Sequence, residues 1–241
     1  MCYAIISDVH SNLEAFQEVI GYCQARGIKD FLCAGDLVGY GASPGECLKL
    51  VDDLNIRCVA GNHDWAASGR LDFEYFSLPA QRAVVWTQAQ LSPAQKHSLN
   101  NLEPVSKRED CILVHGTLDH PQEFNYLMDT AQASDTFFLM DRTVCFVGHT
   151  HVPQILIKHK DFISYARSFE LTLNPELKYI INVGSVGQPR DGNPKASFGI
   201  YDTQAQTISI KRIAYDIESA QKKILTAGLP EILARRLSMG E

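Results

Sequence analysis

The apolar positions of the first sixty residues change period in a regular order. Residues 3–7 form a short apolar run that predicts a buried strand. Leu13, Phe16, Val19, Ile20 and Cys23 then recur at helical spacing, with Asn12 placed as N-cap and Gly27 as stop. Residues 31–34 predict a second strand. Ser43-Pro44-Gly45-Glu46 reads as a capping box with Pro at the first helical position, and residues 57–60 as a third strand. Strand, helix, strand, helix, strand is the pattern of a parallel α/β sheet.

Residues 65–104 change to a helical pattern. Positions 78–91 are helix-rich, and Ser92-Pro93-Ala94-Gln95 opens a further helix with a second capping box. Strands return at 111–114 and 144–147. The stretch 154–215 is rich in β-branched residues, with runs at 155–157, 179–183, 197–201 and 208–213. These read as sequential, largely antiparallel strands of a second sheet. Two helices, 217–226 and 230–238, close the chain. No repeat, low-complexity tract or Pro/Ser-rich linker interrupts it. The expectation is one domain over residues 1–241, with a helical insertion at about 65–104 and C-terminal helices at about 216–239.

Composition adds constraints. With 241 residues, 45% hydrophobic and 21% charged, the chain can bury a substantial core and is neither a disordered tail nor a small disulfide scaffold. Its formal charge of −6 argues against a partner held by general attraction to nucleic acid or anionic membrane. The seven cysteines are scattered, form no CxxC pair and sit largely in apolar runs, as suits buried thiols in a reducing compartment. The N-terminal apolar stretch is too short for a signal peptide, and no run approaches the length of a membrane span. A cytoplasmic location and no membrane partner are expected.

Five short motifs carry the chemistry. Asp8-Val9-His10 follows the first predicted strand and Gly35-Asp36 the second. Gly61-Asn62-His63-Asp64 follows the third, Val114-His115-Gly116 the fourth and Gly148-His149-Thr150-His151 the fifth. Each falls at a strand end, where open α/β sheets gather functional residues. Residues 8, 36 and 62 are separated by roughly one βα unit each, so each step returns the chain to the same sheet edge. Carboxylate and imidazole without thiolate suit zinc, manganese or iron. Four histidines, two aspartates and an asparagine amide suffice for two divalent ions if one carboxylate bridges. Two ions ~3.5–4 Å apart can acidify a shared water and clamp both oxygens of an in-line displacement. Two dications bring about +4, and two carboxylates plus a bridging hydroxide remove about 3, leaving a positive point suited to phosphate.

Taken together, D-x-H, G-D, G-N-H-D, H and G-H-x-H resemble the signature of the calcineurin-like metallophosphoesterases, over residues 2 to about 215. The resemblance implies an α/β fold, a four-layer α/β/β/α sandwich of two mixed β-sheets flanked by helices. It implies Asp8, His10 and His151 as ligands of one metal, Asp36 as the bridge, and Asn62, His115 and His149 as ligands of the second. It implies His63 as general acid, protonating the leaving oxygen after in-line attack by a metal-bridging hydroxide, and Asp64 as the residue that orients His63. A carboxylate beside His63 would also raise its pKa and hold the proton on the ring.

One departure narrows the reading. Protein phosphatases and dinucleoside tetraphosphatases of this superfamily carry G-D-x-V-D-R-G, whereas this chain has Gly35-Asp36-Leu37-Val38-Gly39-Tyr40-Gly41 and so lacks the Asp-Arg pair. Arg190, in the glycine-rich stretch 184–192, is the candidate phosphate grip, and Tyr40 and His120 are candidates for the pocket. Tyr75, Phe76, Trp86 and Tyr126 could stack an aryl group or base, whereas His97 and His159 read as solvated. The pattern is closest to the bacterial phosphodiesterase-like branch. The expected activity is hydrolysis of a small phosphodiester or nucleotide-like ester with two divalent transition-metal ions (Mn, Fe or Zn). The alternatives are a phosphomonoesterase or protein phosphatase, and a non-catalytic metal-binding scaffold of the same fold.

Overall fold

The computed structural model describes residues Met1–Glu241. The chain opens with β1 (Cys2–Ile6), α1 (Leu13–Gln24), β2 (Asp30–Cys33), α2 (Pro44–Asp53) and β3 (Arg57–Cys58). Three helices follow: α3 (Asn62–Ser68), α4 (Leu78–Gln90) and α5 (Pro93–Asn100). Next are β4 (Val105–Lys107), β5 (Ile112–Val114), α6 (Ala133–Leu139) and β6 (Val144–Val147). Then come β7 (Gln154–His159), β8 (Phe162–Tyr165), β9 (Glu170–Thr172) and β10 (Lys178–Asn182). The chain ends with β11 (Ala196–Asp202), β12 (Thr207–Ile213), α7 (Ile217–Thr226) and α8 (Glu231–Met239).

The strands form two six-stranded sheets, ordered β3-β2-β1-β11-β12-β9 and β4-β5-β6-β10-β7-β8. Both are mixed. Strands β1, β2 and β3 run parallel in the first sheet and β5, β6 and β10 in the second; the other neighbours are antiparallel.

Alternation of side chains builds the layers. Tyr3 and Ile5 of β1 point between the sheets, where they join Phe146, Ile181 and Tyr201. Ala4 and Ile6 point the other way, onto Phe16, Val19 and Ile20 of α1. In β6, Val144 and Phe146 face the inter-sheet core while Cys145 and Val147 face Phe137 of α6. With both faces of the central strands buried, two mixed sheets are flanked by helices, as the family resemblance implies.

Three local expectations are corrected. The strands after residue 154 do not build one second sheet: β7, β8 and β10 extend the sheet of β5 and β6, whereas β9, β11 and β12 extend that of β1. Their apolar pattern satisfies either sheet, and only tertiary pairing selects between the open edges of β1 and β6. The Ser43 side chain makes no cap bond, although Pro44 does open α2; the box at Ser92 and Gln95 forms, as does the Asn12 cap on Ala15 N (3.1 Å). Helix α3 starts inside the Gly61–Asp64 motif rather than after it, because Asp64 at the third helical position accepts from Gly61 N (3.0 Å).

Candidate metal centre

The parallel strands β1, β2 and β3 of one sheet and β5, β6 and β10 of the other each deliver a loop to the same place. Backbone bonds lace those loops together: Asp8 N donates to Gly35 O (2.9 Å), His10 N to Asp36 O (3.0 Å), Gly148 N to His115 O (2.9 Å) and Gly187 N to Asp8 O (2.9 Å). The consequence is two adjoining buried groups of possible metal ligands, Asp8 with His10 and His151, and Asp36 with His115 and His149.

In the first group, His10 Nε2 lies 3.0 Å from His151 Nε2, and Asp8 Oδ1 lies 3.7 and 3.3 Å from the two nitrogens. In the second, Asp36 Oδ2 is 3.2 Å from His115 Nε2. The same oxygen is 3.6 Å from His10 Nε2, so one carboxylate borders both groups. These separations bracket the ~3.3 Å between ligand atoms around a tetrahedral ion with bonds of about 2.0–2.1 Å.

The backs of the rings are as informative as the fronts. Nδ1 of His10, His115 and His151 meets the carbonyls of Val38 (3.1 Å), Ala34 (2.7 Å) and Gln188 (2.6 Å). A carbonyl only accepts, so each Nδ1 carries the proton and donates, leaving Nε2 as the inward-facing atom. The facing Nε2 atoms of His10 and His151 would then be two acceptors in contact, a repulsion that a shared cation removes. Asn62 Oδ1 is buried with no hydrogen-bond partner, and His115 Nε2 has only the 3.2 Å approach of Asp36 Oδ2. Such an orphaned atom is costly unless something absent from the protein itself binds it. The donor set therefore fits divalent metal ions.

Electrostatics agree. Burial would raise the carboxyls of Asp8 and Asp36, yet the surrounding imidazoles hold both well below the usual range. Burial works against a charge on His115, but Asp36 and Asp8 prevail and lift it to about 9. The field that retains this proton would equally retain a metal cation in its place. By contrast, His149 is pushed down to about 3 by burial and then by His115.

Local backbone strain accompanies the site. Asp8, His10, Asp36, Tyr40, His149 and His151 all adopt left-handed conformations, with φ between 48° and 70°. Such residues cost free energy individually and persist where surrounding structure over-determines them. Gly35 (φ 97°) shows one reason for the glycines between them: a Cβ there would sit 2.7 Å from His115 Nδ1. At Gly61 a Cβ would collide with both the carboxyl group and the backbone amide of Asp36.

A cleft of about 560 Å³ opens over these residues. Asp36, Asn62, His149 and His151 form its floor, and Tyr40, His63 and Arg190 line it. The His63 ring lies 4.4 Å from Tyr40 and 5.0 Å from Phe76 between centroids. Its Nδ1 is buried without a partner under Gly39, so Nε2 is the atom left to face the cleft. Arg190 N donates to His151 O (3.3 Å), and its guanidinium sits 5.6 Å from the Tyr40 ring centroid.

Two sequence expectations fail here. Asp64 does not touch the His63 ring. Its carboxylate accepts from Asp36 N (2.9 Å), Leu37 N (2.9 Å), Val38 N (3.2 Å) and Gly61 N, bracing the turn that carries Asp36. Without that neighbour His63 is not raised but lowered to about 4, by burial against the pull of Asp36 and with Arg190 adding to the drop. His120 is not a pocket residue either. It is exposed, 3.7 Å from Asp119, at a left-handed position before the 3-10 turn Pro121–Glu123. That turn delivers Tyr126 instead, whose ring stacks on His149 at 3.9 Å and 21°.

Within the 65–104 insertion, Tyr75, Phe76, Ser77 and Ala80 reach the cleft, Leu99 of α5 packs in the core with Leu48, and Trp86 packs with the C-terminal helices. Two residues that the sequence did not single out also matter. Asn182 ends β10 and holds Gly148 O (2.7 Å) and Thr150 Oγ1 (2.9 Å), between the two histidines of that loop. Arg236 of α8 lines the cleft. No local signal marks either, because both act across long sequence separations.

Residues 1–206 match the sequence model of the calcineurin-like phosphoesterase superfamily domain. The chain is 39% identical over 241 residues to the uncharacterized protein MJ0912 of Methanocaldococcus jannaschii, covering 98% of this chain and 97% of that one. A metallophosphoesterase crystal structure from Sphaerobacter thermophilus is similar at 39% identity and a TM-score of 0.87, covering 100% of this chain and 99% of the other. The hypothetical protein PH1004 of Pyrococcus horikoshii OT3 shares the fold at 17% identity and a TM-score of 0.80, covering 100% and 98%.

Proposed function

The chain belongs to the calcineurin-like phosphoesterase superfamily, and from that premise we propose that it hydrolyses a small phosphodiester or nucleotide-like phosphate ester with two divalent metal ions. The observation that carries this reading is the pair of adjoining ligand groups, with the buried Asn62 Oδ1 left without a partner. Asp8, His10 and His151 would hold one ion, and His115, His149 and Asn62 the other. Asp36, whose Oδ2 borders both groups, would serve the two together. Divalent ions there supply Lewis acidity, lowering the pKa of water and neutralising phosphate charge.

The remaining steps belong to the protein. Arg190, backed by Gln188 Oε1 at 2.9 Å and with Nε buried and unpaired, offers charged donors to a non-bridging phosphate oxygen. His63 supplies a proton from Nε2 to the leaving oxygen; the negative charge of a bound phosphate favours the imidazolium that burial otherwise opposes. Asp64 acts at one remove, fixing the Asp36–Val38 turn. Phe76 and Tyr40 pack against the His63 ring.

The test is release of p-nitrophenol from bis(p-nitrophenyl) phosphate with Mn2+ supplied. Turnover should vanish with chelator and fall at least about 10²-fold in Asn62→Ala. Bound metal without turnover of either mono- or diesters would sink the enzymatic reading and favour a scaffold.

A further inference from the structure

The cleft is far larger than one phosphate needs and lies in the ordinary range for a drug-sized ligand. Its second cation is Arg236. Leu233, Ala234 and Leu237 of α8 are buried against α7, Ala83 of α4 and the Tyr40 side chain, which presses α8 onto the cleft wall. Arg236 lies between those apolar positions and is half-buried, yet its guanidinium has no ion pair or hydrogen bond in the protein. Its own backbone carbonyl is taken by Gly240 N (2.9 Å) and Glu241 N (3.3 Å), so the side chain is not spent capping its helix.

The two arginines share one wall. Gly192 N donates to Gly240 O (2.9 Å), which ties the end of α8 to the loop that follows Arg190. The Asp191–Arg212 ion pair pins the same loop to β12. They differ in their contacts, however. Arg190 N bonds to His151 O (3.3 Å) and its guanidinium lies 5.6 Å from the Tyr40 ring centroid, whereas the Arg236 side chain makes no hydrogen bond or ion pair with any candidate ligand. Arg236 thus lines the same cleft without touching the candidate metal groups. Tyr75, Phe76 and Tyr126 line the space. Glu123 and Glu241 on the rim carry the opposite sign, but both are exposed and screened by solvent.

We propose that Arg236 binds a second phosphate group, so that the substrate is an aromatic phosphodiester carrying a further phosphate, of the kind a nucleoside 3′,5′-bisphosphate ester presents. This deepens the proposed phosphodiesterase reading and rests on it for the reacting half of the substrate. The experiment compares two substrates with one leaving group: the p-nitrophenyl ester of thymidine 5′-phosphate, with and without a 3′-phosphate. The wild-type protein with Mn2+ should prefer the 3′-phosphorylated ester by about tenfold or more in kcat/KM, mainly through KM. Arg236→Ala should bring that ratio to near one, and Arg236→Lys should restore part of it. A wild-type ratio near one, or a ratio unchanged in Arg236→Ala, overturns the proposal. Hydrolysis of neither ester sinks the catalytic reading instead, and calorimetry then decides this one. Metal-loaded protein should bind thymidine 3′,5′-bisphosphate about tenfold more tightly than thymidine 5′-phosphate, with the difference lost in Arg236→Ala. Equal affinities in the wild type, or a difference that survives the substitution, refute it.

Discussion

Asn182→Ala tests whether the candidate site is held by residues that ligate nothing. Asn182 is 4% exposed at the end of β10. Its Nδ2 donates to Gly148 O (2.7 Å) and Thr150 Oγ1 (2.9 Å), and its Oδ1 accepts from Gly184 N (2.9 Å). Gly148 O also accepts from Thr150 N (2.8 Å), and Thr150 Oγ1 keeps Val152 as a partner, so truncation leaves neither bare. Gly184 N is left with no acceptor. One orphaned buried amide at ~1–3 kcal/mol and two lost bonds at ~0.5–1.5 kcal/mol each give a loss of about 2–6 kcal/mol. For a chain of this length that is a fall in Tm of about 4–24 °C.

The site should suffer separately, because Gly148 and Thr150 flank His149. Metal affinity should drop about 10–100-fold, as for other residues that orient ligands. Thermal melts and Mn2+ titration calorimetry read the two effects, with Asn182→Asp as a companion that keeps the acceptor for Gly184 N but loses both donors. A variant that melts within about 2 °C of wild type and binds Mn2+ normally would refute the reasoning.

Gly61→Ala drives a methyl group into the Asp36 carboxyl and amide; turnover and metal binding should fall at least about 10²-fold, measured by kinetics and metal content. His63→Ala should retain its metal yet lose about 10²–10⁴-fold turnover on esters with poor leaving groups, and much less on p-nitrophenyl esters; equal losses on both would refute the proton-donor role. Phe146, fully buried between the sheets, gives the control: Phe146→Ala should cost about 3–5 kcal/mol in denaturant melts, with the metal affinity of the folded fraction little changed.

The candidate ligand motifs were legible because their order carries geometry. A motif at the end of each of three consecutive strands must converge if those strands are parallel, and β1, β2 and β3 are. The neighbourhood of His63 was not. Sequence adjacency suggested that Asp64 faces His63, but α3 begins within the motif, and Asp64 turns back to the 36–38 amides as a helix-capping carboxylate does. His120 failed for a related reason: one tight turn separates it from Tyr126, and it is Tyr126 that meets His149. The short strands β4, β8 and β9 are three or four residues each, too brief for a period to show.

By itself, the sequence determined the alternation of strands and helices, the residue types of the candidate centre and their return to one sheet edge. Those follow from local period and spacing, which the backbone obeys without knowing its partners. Only the tertiary structure decided which open edge each late strand would join, since an apolar strand satisfies either sheet equally. It alone set the proton positions on His10, His115 and His151, because their carbonyl partners Val38, Ala34 and Gln188 lie 28, 81 and 37 residues away. It also brought Arg236 from the last helix to the cleft whose floor begins at Asp36. Contacts at such separations depend on how the layers stack, and no local pattern records that.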